Sequence, residues 1–257
     1  MHRARFLLKT ILLLQLGTLL CTFAQATTAE ELIVSAAASL SNAFTEIGKA
    51  YEKDHPGTKV SFNFGASGAL LQQIARGAPA DVLATADLET MDRAQGQNLL
   101  MAGTRKNFAR NRLVVVVPST SASTLSQLDD LRRPEVARIG LGTPDSVPAG
   151  RYAKEALDAA GLWRALADKY IFGQNVRQVL DYVARAEVDA GFVYATDAEL
   201  LKGRVKVAFE APVDKPVLYP IAVVQGTRRK QLAEGFVMYV TSQSGLQVLE
   251  RYGFSRP

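Results

Sequence analysis

Four times along this chain, a strand-length apolar run gives way to a turn of small residues and then to apolar residues at helical spacing. Residues 32–36 (L-I-V-S-A) lead through a small-residue turn into a helix with Phe44, Ile47, Gly48 and Tyr51 on one face. Residues 60–64 lead through G-A-S-G into Leu70, Leu71 and Ile74. Residues 137–141 lead through G-T-P-D-S-V-P into Tyr152, Ala153, Ala156, Leu157 and Ala160. Residues 170–172 lead through G-Q-N into Val176, Val179, Leu180 and Val183. Strands alternating with helices at this interval predict βαβ units and mainly parallel sheets.

The remaining runs complete the order. Residues 81–86 read as a strand, followed by a short helix from Asp87. Residues 111–118 (N-R-L-V-V-V-V-P) are the most β-branched run and read as a strand leaving a first lobe. A short helix at 125–131 comes next. Strands at 190–194, 205–209 and 217–224 follow, the last interrupted by Pro220. Two helices near the C-terminus rejoin the first lobe. The expected organisation is an α/β protein of two lobes. Lobe I comprises 27–109 plus 218–257, lobe II comprises 110–217, and a ligand cleft lies between them at the strand ends.

Residues 1–26 are set apart as a targeting segment. Arg3, Arg5 and Lys9 form a basic start, residues 11–21 an apolar stretch too short to span a bilayer comfortably, and Ala24-Gln25-Ala26 a small-residue cleavage site. Cleavage removes the single Cys, one of the two His, and three of the 30 Lys and Arg, leaving a charge of 27 − 25, or +2. The expected mature protein is periplasmic and has no thiol. It has no basic run of the density that nucleic acid requires.

The turns suggest the chemistry. The first N–H groups of a helix have no intrahelical partner, and the macrodipole places about half a positive charge there. Ser39, Ser67, Ala149 and Val176 each stand at such a start, and Tyr194 ends a strand with a phenolic donor. Converging from two lobes, these groups would ring an oxyanion with neutral donors. Taken singly, each has a plain structural role as an N-cap, a core valine or a packed aromatic.

Motifs along the whole mature chain carry a resemblance. A-A-A-S-L at 36–40, F-G-A-S-G-A-L at 64–70, G-A-P-A-D-V at 77–82, S-V-P-A-G-R-Y-A at 146–153, N-V-R-Q at 175–178 and V-Y-A-T-D-A at 193–198 occur in that order. Together they resemble the periplasmic molybdate-binding proteins of ABC transporters. The resemblance implies the type II periplasmic binding-protein fold and a tetrahedral oxyanion in the interlobe cleft. It also implies tungstate as an alternative ligand and delivery to a membrane permease. Carried over by motif, Ser39 and Ser67 would donate through hydroxyl and N–H, Ala149 and Val176 through N–H, and Tyr194 through its OH. The metal would be met only through its oxygens, and no cofactor is expected.

An enzyme would need a nucleophile with its base, a metal or a cofactor. His55 lies in a helix-ending K-D-H-P segment, and no phosphate-binding glycine motif is present. Asp81, Asp87, Asp197 and Glu199 read as caps and solvated faces, and Arg151 and Arg177 as salt-bridged or solvated arginines beside the site. The expectation is therefore a monomeric binding protein, not an enzyme. A carrier of sulfate or another tetrahedral oxyanion, or an exported oxyanion sensor, is the alternative. The five donors include no carboxylate, so anions without a proton are favoured over hydrogen phosphate. Preference for molybdate over sulfate rests on the resemblance alone.

Overall fold

A computed structural model describes residues 29–257, and the targeting segment lies outside the described residues. The described residues build two five-stranded sheets, each flanked by helices. The first half opens with β1 (Glu30–Ala37), a single 3-10 turn (Ala38–Leu40) and α1 (Ser41–Asp54). It continues with β2 (Thr58–Gly65), α2 (Ser67–Ala75), β3 (Val82–Ala84), α3 (Leu88–Gly96) and β4 (Lys106–Asn111). The second half begins with β5 (Leu113–Pro118), β6 (Ile139–Gly142) and α4 (Pro148–Ala159). It then runs through β7 (Tyr170–Gly173), α5 (Val176–Ala184), β8 (Ala190–Tyr194), α6 (Ala195–Leu200) and β9 (Val205–Glu210). β10 (Val217–Val223) returns to the first sheet, and α7 (Lys230–Val240) and α8 (Gln243–Arg251) pack on that half.

The strand orders are β2-β1-β3-β10-β4 and β7-β6-β8-β5-β9. In each sheet the first three strands are parallel, and β10 or β5 pairs antiparallel with the neighbours on both sides. Four of the five strands in each sheet therefore point the same way, as the expectation of mainly parallel sheets requires. The one reversed strand in each sheet, β10 or β5, is the strand on which the chain enters that sheet after a crossing. The chain passes between sheets at Asn111–Leu113 and again between Glu210 and Val217.

Packing explains the local choices. β5 is buried along its whole length between β8 and β9, which is why it reads as an unbroken apolar run. On α5, Val176, Val179, Leu180 and Val183 are buried against β6 and β8, each such side chain contributing about 1.5–3 kcal/mol. Gly150 on α4 has a specific reason: a Cβ there would overlap the Gly142 carbonyl. The helix start is thus held directly on the end of β6.

Three local expectations need correction. β4 was not legible as a strand. The short helix expected at 125–131 is a 3-10 segment, Leu128–Arg132, capped by a reciprocal Gln127–Asp130 box. Of the acidic residues read as caps and solvated faces, Asp87 and Asp197 do cap helices and Glu199 is exposed, but Asp81, Asp87 and Asp197 are buried and not solvated. Asp81 accepts from Ile33 N at 2.8 Å, and Asp87 caps α3 through Thr90 N at 3.2 Å.

Candidate functional site

The five expected groups arrive at one place. Ser39 lies in the 3-10 turn after β1, Ser67 opens α2, Ala149 is second in α4, Val176 opens α5 and Tyr194 closes β8. All five line one small cavity of about 10 Å³ between the two halves. None is more than 4% exposed.

Local sequence keeps the donors free. A capping Ser, Thr, Asn or Asp would occupy helix-start N–H groups. Here the cap positions are Ala37, Ala66 and Val147, and none makes a side-chain cap bond. At α5 the cap is Asn175, whose side chain accepts from Gln178 N at 3.1 Å, two residues beyond Val176. Asn175 also lines the cavity. It is a site residue that sequence reasoning passed over, although it stands in the N-V-R-Q motif.

The hydroxyls have defined partners. Ser67 Oγ accepts from Ala86 N at 3.1 Å, and Ser39 Oγ lies 3.1 Å from the Tyr219 hydroxyl. Tyr194 donates to the Ala86 carbonyl at 3.3 Å, across the two halves. Burial pushes the Tyr194 and Tyr219 phenols well above the ordinary tyrosine value, so both keep their protons.

Among the described residues, no Lys, Arg, Asp or Glu lines the cavity. The nearby arginines are spoken for. Arg151 pairs with buried Asp87 and approaches Glu89 at 3.3 Å. Arg177 lies 2.6 Å from Asp197 through Nε, off the hydrogen-bond axis. Its other nitrogens donate to Asn42 Oδ1 at 2.9 Å and to the Ser39 carbonyl at 3.1 Å. Burial raises the pKa of both aspartates, and the facing arginines oppose the rise. Each cation is thus balanced locally, and the field inside the cavity comes from peptide and hydroxyl dipoles.

His55 sits far from this chemistry. It stacks on Tyr51 at 3.9 Å and meets the Tyr51 carbonyl through Nδ1. Among the described residues no three His, Cys, Asp or Glu side chains are grouped to hold a metal ion. No described helix is long and apolar enough to cross a membrane.

The chain matches the family of bacterial extracellular solute-binding proteins over residues 32–255. It belongs to that family. YvgL of Bacillus subtilis (strain 168), a lipoprotein assigned as the substrate-binding part of an ABC transporter, is 39% identical over 91% of this chain and 92% of its own. The molybdate-binding protein ModA of Escherichia coli (strain K12) is 37% identical over 88% of this chain and 89% of its own. The periplasmic molybdate-binding protein of Azotobacter vinelandii shares the fold, with a TM-score of 0.77 at 22% identity, over 88% of this chain and 99% of its own. As a member of the family, the chain is a two-sheet α/β solute-binding protein of the kind that works with an ABC permease.

Proposed function

We propose that this protein captures molybdate, and with it tungstate, and delivers the anion to the permease of an ABC transporter. One observation carries the reading: Ser39, Ser67, Ala149, Val176 and Tyr194 converge on a cavity that no charged side chain among the described residues lines. Hydrogen bonds to a charged group contribute roughly 1.5–3 kcal/mol each. Several preorganised donors offset the desolvation of a dianion that brings no proton of its own. The identity to molybdate-binding relatives such as ModA of Escherichia coli supports the choice of anion.

In this reading the protein has no catalytic task and needs no cofactor. It works as a periplasmic monomer after loss of residues 1–26. Its lobes are 27–109 plus 218–257 and 110–217, and the two crossings form the hinge. Ligand contacts from both lobes shift the population toward the closed form, which the permease then reads.

Calorimetry on the purified protein, titrated in turn with molybdate, tungstate and sulfate, tests the assignment. Saturable one-to-one binding of molybdate and tungstate, with sulfate far weaker, is expected. Binding of sulfate without molybdate would overturn the ligand.

A further inference from the structure

We infer that Asn111 and Tyr219 set the direction of hydrogen bonding at Ser39, so that its hydroxyl proton is presented to the cavity. The two residues are positioning residues that make the site selective for unprotonated oxyanions. The inference rests on the oxyanion reading above.

The relay begins at a backbone amide. Arg112 N donates to Asn111 Oδ1 at 2.9 Å. A backbone N–H can only donate, so this bond fixes which end of the Asn111 amide is oxygen. Its Nδ2 therefore faces Thr196 Oγ1 at 2.9 Å and the Tyr219 hydroxyl oxygen at 3.3 Å, and donates to both. Tyr219 is fully buried, ringed by Phe108, Tyr194 and Phe254. It has one proton to give and one other polar partner, Ser39 Oγ at 3.1 Å. Tyr219 thus accepts from Asn111 and donates to Ser39. With a donor aimed at its oxygen, the Ser39 hydroxyl proton turns away from Tyr219, toward the cavity that Ser39 lines.

Ser67 is arranged in the same sense by different means, because the Ala86 N–H stands behind its oxygen. Both serines therefore present protons, and each has one of its two acceptor lone pairs already taken from behind. A hydrogen phosphate ion entering the cavity would find at most one lone pair left on each serine for its own proton, beside the proton that serine already presents, which disfavours it against an unprotonated anion. The relay also occupies the crossings. Asn111 ends β4, Tyr219 lies in β10, and Thr196 belongs to α6 of the other half. The orientation of a ligand donor is thereby tied to the segments that join the halves.

A double-mutant cycle tests the relay. In N111D the amide donor becomes a second acceptor, so the Tyr219 proton turns toward residue 111 and Ser39 must donate to Tyr219. Molybdate affinity, measured by calorimetry in wild type, Tyr219→Phe, Asn111→Asp and the double variant, is the readout. N111D should weaken molybdate by about tenfold or more in the wild-type background and clearly less in the Y219F background. The added charge acts equally in both backgrounds, so the difference isolates the relay. Equal losses in the two backgrounds would overturn the inference. Where N111D does not fold, Asn111→Ala and Tyr219→Phe serve instead. Each should lower molybdate affinity about three- to tenfold and lower the ratio of molybdate to phosphate affinity. An unchanged affinity and ratio in both would overturn the relay. A wild-type protein that binds no molybdate would defeat the functional reading instead.

Discussion

The Gly68 amide donates to the Ser146 carbonyl at 2.9 Å, and this backbone bond joins the two halves beside the cavity. A Cβ at Gly68 would lie 2.9 Å from both the Cα and the carbonyl oxygen of Ser146. Both are main-chain atoms and cannot swing aside. The contact exists only while the halves are together. Gly68→Ala should therefore weaken molybdate binding by about 1–3 kcal/mol and leave the melting temperature of the ligand-free protein close to wild type. An unchanged affinity, measured by calorimetry, would show that the halves need not approach this closely to hold the anion.

Ser39→Ala and Ser67→Ala each remove a hydroxyl aimed into the cavity. Each should weaken molybdate binding by about 1–3 kcal/mol without unfolding the protein. Circular dichroism checks the fold and calorimetry the affinity. Wild-type affinity in both variants would remove the serines from the site.

Arg151 and Asp87 form a largely buried ion pair across the halves, with side-chain exposures of 13% and 4%. Removing only the arginine leaves a buried carboxylate without its partner. Arg151→Ala should weaken molybdate binding by about 2–5 kcal/mol. Adding Asp87→Asn should recover part of that loss. Strictly additive effects would mean that the pair does not couple to closure.

The local part of this site was legible in the sequence, and the reason is physical. A strand end, a small-residue turn and a helix start are nearest-neighbour features, so Ser39, Ser67, Ala149, Val176 and Tyr194 could each be placed without knowing the fold. What stayed hidden is held by distant partners. β4 reads K-N-F-A-R-N, with its polar side chains exposed, and it becomes a strand by pairing with β10, more than 100 residues later. Tyr219 meets Ser39 across 180 positions and Asn111 across 108, and no local pattern marks either contact. Asp87 was recognisable as a helix cap, yet its burial depends on Arg151, 64 positions away. Family resemblance supplied the ligand, which neither the spacing nor the composition could have named.

Burial fixes the pH behaviour of the donors. A phenol donates only while protonated, and both Tyr194 and Tyr219 are held well above the ordinary value of about 10. Raising the pH toward that ordinary value should therefore leave these donors in place. Molybdate affinity should stay level between about pH 7 and 9.5, with loss only at higher pH. Calorimetry across that range checks it. A decline centred below the ordinary tyrosine value would indicate a titrating donor that the cavity does not contain.

In the proposed reading an oxyanion is held by uncharged donors from both halves. Crystals grown with molybdate, with the metal located by its anomalous scattering, test it most directly. The account predicts one molybdenum between Ser39, Ser67, Ala149 and Val176, its oxygens within hydrogen-bond distance of their N–H and hydroxyl groups. Molybdenum at another place, or oxygens neutralised directly by a lysine, an arginine or a bound cation, would contradict it.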